Sequence, residues 1–176
     1  VWVVLSLFAS IPFVLGYTNA NLVDAIFEAV SGITTTGSTV FSELDKMPKG
    51  LLLWRGILQW LGGIGIIVVA MVFLPELRVG GMQIFRAEGF DTLGKILPRA
   101  TTIAFQISII YVGITIACGL AYVLAGMSFF DAVVHSFTTV ATGGFSNYDG
   151  SFSVFSWQVE YVAILFMILS ALPFVR

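Results

Sequence analysis

Four long apolar stretches, separated by short polar segments, are the feature that most limits how this chain can fold. They cover residues 1–17, 51–74, 101–127 and 157–175. Only 10% of the 176 residues are charged, against about 25% in a typical soluble domain. Because so few charges cannot cover a soluble surface, the sequence predicts an integral membrane protein with several spans.

The residue types that build most enzyme and metal sites are scarce. The chain has one cysteine, Cys118, and one histidine, His135, and its formal net charge is −2. These counts argue against a disulfide framework, a transition-metal centre and a nucleic-acid-binding protein. The pair His135–Ser136 lacks an orienting acid at a recognisable spacing, so no hydrolase site is predicted and the chain is not expected to be an enzyme.

Two shorter apolar segments, residues 22–33 and 129–140, lie between the long ones. Each is too short to cross a bilayer, which takes about 20 helical residues. Each is followed by a stretch rich in Thr, Gly and Ser and then by a polar loop. The order span, short helix, loop, span therefore occurs twice, which predicts two re-entrant units.

The two short units also resemble each other in sequence. Asp24-Ala and Asp131-Ala begin them, and a Thr-Gly pair ends each one, at Gly37 and at Gly143. Aligning Gly37 with Gly143 requires a slip of one residue relative to the Asp-Ala pairs, so the register of the second loop stays open by one. We interpret both aspartates as helix-start residues rather than ion ligands.

Loops of this composition suit the binding of a dehydrated cation. Glycine allows backbone conformations that turn successive carbonyls to one side, and threonine adds a hydroxyl oxygen. A ring of such oxygens can replace the water shell of potassium. A preceding helix points its partly negative C-terminal end at the same place, which favours a cation.

The distribution of basic residues predicts the orientation. Residues 76–99 and Arg176 together carry five Lys or Arg residues, against three on the opposite side. The positive-inside rule then places the linker 76–100 in the cytoplasm and lets the re-entrant loops enter from outside.

Four segments carry a further signal: residues 31–39, 54–65, 97–99 and 138–147. In these segments the chain resembles the Trk/Ktr/HKT superfamily of potassium and other cation transporters, and within it the bacterial TrkH/TrkG membrane subunits. The resemblance extends over essentially the whole chain. It implies an all-α membrane protein built of tandem span, pore helix, filter loop, span repeats of the potassium-channel type, with two of an expected four present.

The resemblance also implies a division of the chain. Residues 1–75 would be the first pore repeat with a truncated first span, residues 76–100 the cytoplasmic linker, and residues 101–176 the second repeat with a truncated last span.

By the same resemblance, ten residues are expected to form the ion-binding filter, with Gly37 and Gly143 as its key glycines. They are Thr35, Thr36, Gly37, Ser38 and Thr39 in the first loop, and Ala141, Thr142, Gly143, Gly144 and Phe145 in the second. Glycine rather than serine at the first key position favours potassium. No covalently bound cofactor is expected, and potassium is the transported ion.

The function implied is potassium uptake by a multi-pass protein of the bacterial inner (plasma) membrane. Implied partners are membrane lipid, a second copy in a homodimer, and a cytosolic nucleotide-binding regulatory subunit of the TrkA/KtrA type; nucleic acid is not among them. One alternative is a sodium-conducting or Na⁺/K⁺-cotransporting relative of the same fold. The other is a non-transporting membrane assembly subunit, in which Gly37 and Gly143 would lie far apart.

Several polar residues near the loops have two interpretations. Arg55 and Gln59 lie one helical turn apart. Either they pair with Glu43, Asp45 or a pore helix, or Arg55 extends its charged end to the membrane interface, that is, it snorkels. Neither residue is expected to bind the ion. His135 is expected to be a buried pore-helix contact.

Two further features concern packing and depth. Glu28 corresponds in position to His135 and is expected near an outer vestibule. Gly62, Gly63 and Gly65 are expected to allow close packing against a pore helix.

Overall fold

The described part of the chain is entirely helical in its regular structure. The computed structural model describes the backbone of residues 2–16, 20–73 and 93–172, and the side chains of residues 2–16, 20–65 and 105–172. Within them lie six α-helices: α1 Trp2–Gly16, α2 Leu22–Ile33, α3 Lys49–Phe73, α4 Leu93–Leu124, α5 Phe129–Val140 and α6 Trp157–Ala171. Short 3₁₀ turns at Leu44–Lys46 and Ser151–Val154 follow the two loops. The predicted all-α architecture is confirmed.

The two short helices, α2 and α5, begin and end where the sequence predicts. Asn21 caps α2 by accepting a hydrogen bond from the Asp24 amide at 2.8 Å. Ser128 caps α5 in the same way, accepting from the Asp131 amide at 3.2 Å. Both aspartates lie in the first turn of their helix, where a carboxylate favours the positive end of the helix dipole.

The third span is longer than its apolar stretch. Helix α4 begins at Leu93, so the backbone of residues 93–100, which the sequence places in the linker, is helical and continuous with the span. This segment includes Gly94 and Pro98, residues of low helix propensity, so propensity alone does not account for the extension beyond the apolar run. The rest of the predicted linker, residues 76–92, lies outside the described residues.

The outer surface of the helices is apolar. Among the described residues, the segment Phe105–Leu124 is the one helix both long and apolar enough to cross a bilayer, with a mean hydropathy of 2.2. The apolar helices α1 and α6 are shorter, at 15 residues each. Large apolar side chains on these helices are exposed, with Leu15 at 81% and Phe8 at 68%. A surface of this kind suits lipid, not water.

Helix α3 holds the two repeats together. It packs against α1 and α2 of its own repeat and against α4 and α5 of the next one. Trp54 donates its indole N–H to the Ala9 carbonyl of α1 at 3.0 Å. On the other side, the Tyr111 hydroxyl of α4 donates to the Trp60 carbonyl at 3.1 Å. The position of α3 therefore fixes α2 and α5 relative to each other.

Glycines allow α3 to lie this close to its neighbours. A Cβ atom on Gly62 would overlap the carbonyl of Ile33 at the end of α2. A Cβ atom on Gly63 would lie 2.6 Å from the Tyr111 hydroxyl and 3.3 Å from Ala141 Cβ. Close packing at the ends of the pore helices is thus confirmed for these two glycines. Gly65 differs, because the residue beside it is Trp2 of α1.

We expect Gly62→Ala to lower the free energy of unfolding by about 1–3 kcal/mol, the usual cost of overpacking. The obstructing Ile33 carbonyl is backbone and cannot rotate away. Gly113→Ala is the matched control, because Gly113 lies within α4 and a Cβ there meets nothing within 4 Å. It should leave stability unchanged or slightly raised. Thermal unfolding in detergent of a complete transporter carrying these 176 residues measures both, and an equal effect of the two changes would contradict the prediction.

Candidate functional site

Two loops of the same backbone shape follow the two short helices. The first loop, residues 34–40, follows α2, and the second loop, residues 141–147, follows α5. Thr35 and Gly37 have left-handed φ angles of 56° and 78°. Thr142 and Gly144 have nearly the same angles, 53° and 82°. The repetition seen in sequence is therefore a repetition of backbone conformation.

The backbone also fixes the register of the second loop. A spacing of 107 residues separates Asp24 from Asp131, and the same spacing relates Thr35 to Thr142 and Gly37 to Gly144. No slip is needed. The alignment of Gly37 with Gly143 is therefore wrong by one residue, because the matching Thr-Gly pairs do not occupy matching backbone positions.

The two loops touch each other. A Cβ atom on Gly37 would overlap the carbonyl oxygen of Gly143, so the first loop leaves no room for a side chain at that point. This contact contradicts the alternative of a non-transporting assembly in which these two glycines lie far apart.

The local geometry suits carbonyl oxygens turned to one side. In the first loop the φ angle is −84° at Thr34, positive at Thr35, and positive again at Gly37. Thr36, between them, does not have a positive φ, so the sign of φ alternates along residues 34–37. Such alternation lets successive carbonyls face the same way. The negative C-terminal ends of α2 and α5 lie at the start of the two loops.

Each loop is tied from behind by the seventh residue of its helix. Glu28 in α2 accepts hydrogen bonds from the Thr39 hydroxyl at 2.9 and 3.0 Å and from the Val40 amide at 3.2 Å. His135 in α5 shares a hydrogen bond with the Ser146 hydroxyl at 3.1 Å. Glu28 and His135 are both 0% exposed. The expected buried role of His135 is confirmed; Glu28 is equally buried, and its position near an outer vestibule stays a prediction.

Arg55 of α3 connects the first repeat to the second loop. Its Nε donates to Glu28 Oε1 at 2.8 Å, and its Nη1 donates to the Ser146 carbonyl at 2.7 Å. Its guanidinium carbon lies 4.2 Å from the centre of the Phe145 ring. With 1% of its surface exposed, Arg55 does not snorkel. Of the two interpretations, pairing with a pore helix is confirmed.

Gln59 lies one turn further along α3. Its Oε1 accepts a hydrogen bond from the Phe145 amide at 3.2 Å. Arg55 and Gln59 thus contact the second loop at neighbouring residues, both from the side that faces α3.

Asp131 ties the end of the second loop to the start of α5. Its carboxylate accepts from the Asn147 amide at 2.8 Å, the Ser128 hydroxyl at 2.7 Å and the Tyr148 hydroxyl at 3.0 Å. Burial acts to raise the pKa of Asp131, but these three donors outweigh it and hold the pKa below its ordinary value. The carboxylate is occupied by internal bonds, in agreement with a helix-start role.

Sequence reasoning missed the ties behind the loops. A signal was present, because both short helices carry a polar residue at their seventh position and a hydroxyl residue eleven positions later, at Thr39 and Ser146. Among the described residues, no group of three or more His, Cys, Asp and Glu side chains is placed to hold a metal ion.

We expect Arg55→Leu to destabilise the protein by about 3–5 kcal/mol, since it leaves the Glu28 charge buried and unpaired. The double variant Arg55→Leu, Glu28→Gln should recover much of that loss, because no buried charge remains. Lys46→Leu, which breaks the exposed pair with Glu43 at 2.8 Å, is the control and should have no measurable effect. Thermal unfolding of the complete transporter checks all three; a double variant as unstable as Arg55→Leu would refute this account.

Comparison with known proteins relates the chain to one family of transporters. Residues 1–175 match the family described as "TrkH: Cation transport protein". The chain is 51% identical to the Trk system potassium uptake protein TrkI of Halomonas elongata, over 99% of this chain and 36% of that protein. It is 44% identical to TrkH of Escherichia coli K12, over 96% of this chain and again 36% of that protein.

A solved structure agrees with these relatives. The crystal structure of the potassium transporter TrkH from Vibrio parahaemolyticus superposes with a TM-score of 0.84 and 42% sequence identity. The match covers 98% of this chain and 34% of that one. The chain thus spans about a third of the length of the relatives that it matches. With the family match over nearly every residue and identities of this size, the chain belongs to the TrkH family of cation transport proteins.

Proposed function

We propose that this chain supplies two of the four filter loops of a transporter that conducts potassium into the cell. The observation that carries the proposal is the direct backbone contact between two loops that share left-handed Thr and Gly positions. The relatives named as Trk system potassium uptake proteins support the choice of ion.

The proposed filter surface is the backbone of the ten residues named from the sequence. They are Thr35, Thr36, Gly37, Ser38, Thr39, Ala141, Thr142, Gly143, Gly144 and Phe145. Carbonyl oxygens among these residues would replace the hydration shell of potassium, while the C-terminal ends of α2 and α5 stabilise its charge. The Ser38 carbonyl is not one of them, because it accepts a hydrogen bond from the Ser31 hydroxyl of α2. Transport of this kind involves no covalent step and requires no cofactor, and potassium is the transported substrate.

The ties behind the loops support selective conduction. The Val40 amide donates to Glu28 on the α2 side of the first loop. In a trans peptide the carbonyl points opposite to the amide N–H, so this bond directs the Thr39 carbonyl away from α2. A backbone held in this way keeps its oxygens at a spacing that suits one ion better than another.

We further propose a multi-pass location in the bacterial inner membrane, with the loops entering from outside and the linker 76–100 in the cytoplasm. The exposed apolar faces of α1, α4 and α6 would contact lipid or other parts of the transporter.

We expect Gly37→Ser to lower the K⁺/Na⁺ permeability ratio of the complete transporter by about tenfold, which corresponds to about 1.4 kcal/mol of differential binding. A side chain there meets both a positive φ and the Gly143 carbonyl. Gly126→Ser is the control, since Gly126 also has a positive φ, of 100°, but lies in open space away from the loops.

Competition of Na⁺ with K⁺ in a flux assay measures this ratio. Absence of K⁺ flux in the unaltered transporter would refute the proposed function. A wild-type preference for Na⁺ would favour the sodium-conducting alternative, and an unchanged ratio in Gly37→Ser would remove this residue from the filter.

We propose two protein partners as well: a second copy of the transporter, and a cytosolic nucleotide-binding regulatory subunit that contacts the linker.

We expect Arg86→Glu to reduce capture of that subunit by about tenfold, because the change reverses the sign of a charge on the proposed contact surface. Lys46→Glu, on the proposed outer side, should leave capture unchanged. Pull-down measures binding, and native mass spectrometry of the same sample measures the dimer; equal capture by all variants would refute the linker contact.

A further inference from the structure

The two adjacent glycines of the second loop are required for different physical reasons. Gly144 has a φ of 82°, and a Cβ atom there would meet nothing within 4 Å. Its requirement is conformational. Gly143 is not among the residues with positive φ. A Cβ atom on Gly143 would instead lie 2.5 Å from Gln59 Oε1 and 2.6 Å from Gln59 Nε2. The buried Gln59 side chain thus occupies the space that a side chain at Gly143 would need.

Gln59 lies against the second loop and close to the first. Its side chain is 0% exposed, and a Cβ atom on Gly37 would lie 3.6 Å from its Nε2. Within the described residues this Nε2 has no hydrogen-bond partner. The amide of Gln59 therefore lies against Gly143 and near Gly37, where the two loops meet.

The hydrogen bond from the Phe145 amide to Gln59 Oε1 has a consequence for the neighbouring carbonyl. The peptide that joins Gly144 to Phe145 is trans. Its carbonyl therefore points opposite to its N–H. With the N–H held toward α3 by Gln59, the Gly144 carbonyl points away from α3. Gly144 is the structural equivalent of Gly37, so Gln59 directs the carbonyl at the glycine position that repeats in both loops.

We propose that Gln59 is a positioning residue for ion selectivity. Gln59 fills the space behind Gly143 and accepts a hydrogen bond from the Phe145 amide. Together these two contacts fix the backbone of the second loop. Gln59 does not touch the ion. This inference rests on the proposed conduction of potassium.

The first test separates the polar contact of Gln59 from its volume. Gln59→Leu keeps a side chain of similar size but removes the acceptor for the Phe145 amide. We expect the K⁺/Na⁺ permeability ratio of the complete transporter to fall by up to about tenfold, the factor that corresponds to the full net free energy of one hydrogen bond. Leu61→Ala on the same helix is the control, because Leu61 is 51% exposed. It should leave the ratio unchanged, and the amount of protein in the membrane is measured for each variant.

The second test uses the steric relation between Gln59 and Gly143. Gly143→Ala should reduce K⁺ flux about tenfold through overpacking. In the double variant Gly143→Ala, Gln59→Ala the space is restored, so flux should return to the level of Gln59→Ala alone. Gly144→Ala is the matched control: its glycine is conformational, so Gln59→Ala should not rescue it.

The outcomes distinguish this inference from the proposed function. If the unaltered transporter carries no K⁺, the proposed function fails, and with it the selectivity role; thermal unfolding of the same variants then still tests the Gln59–Gly143 packing. If the unaltered transporter selects K⁺ but Gln59→Leu keeps its ratio, this inference alone is overturned. A Gly143→Ala defect that Gln59→Ala does not relieve would overturn it as well.

Discussion

One buried guanidinium, that of Arg55, sets the positions of the other parts around the loops. Removing a charged side chain from water is costly unless the charge is paired and hydrogen-bonded. Arg55 meets this condition only where Glu28 lies 2.8 Å away and the Ser146 carbonyl 2.7 Å away. A shift of α3 along α2, or of the second loop away from α3, would leave one of these groups unpaired. The ion pair therefore fixes three separate segments in one register, and Gly62 allows the helices to approach closely enough for it to form.

The same constraint explains why the two repeats differ at equivalent positions. Glu28 and His135 both tie a hydroxyl residue of the following loop. A second acid in place of His135 would add a second buried negative charge near the single guanidinium of Arg55. An imidazole makes the same kind of tie without that charge. The two repeats therefore make the same kind of tie with side chains of different charge.

Local signals made much of the fold predictable. The bounds of α2 and α5 follow from capping residues and apolar runs, which act over a few neighbouring positions. The register of the second loop was not predictable in this way, because the Thr-Gly pair at Thr142–Gly143 matches the first loop in letters but not in backbone angles. The partner of Arg55 was equally open, since several acids lie within reach and only tertiary packing selects Glu28. Helix α4 begins in the predicted linker and includes Gly94 and Pro98, an extension that neither the apolar run nor helix propensity indicates.

In the proposed filter, ion selectivity depends on both loops together, because the two loops are in contact. Gly143 directs its carbonyl at the backbone of Gly37, and Gln59 lies behind both. A change in the position of either loop must therefore move the other or open a gap between them, because close-packed groups transmit displacement. Gln59 and Arg55 belong to the first repeat but bond to the second loop. The spacing of the carbonyl oxygens is thus a property of the pair of repeats, and a span helix of one repeat forms part of the wall that supports the loop of the next.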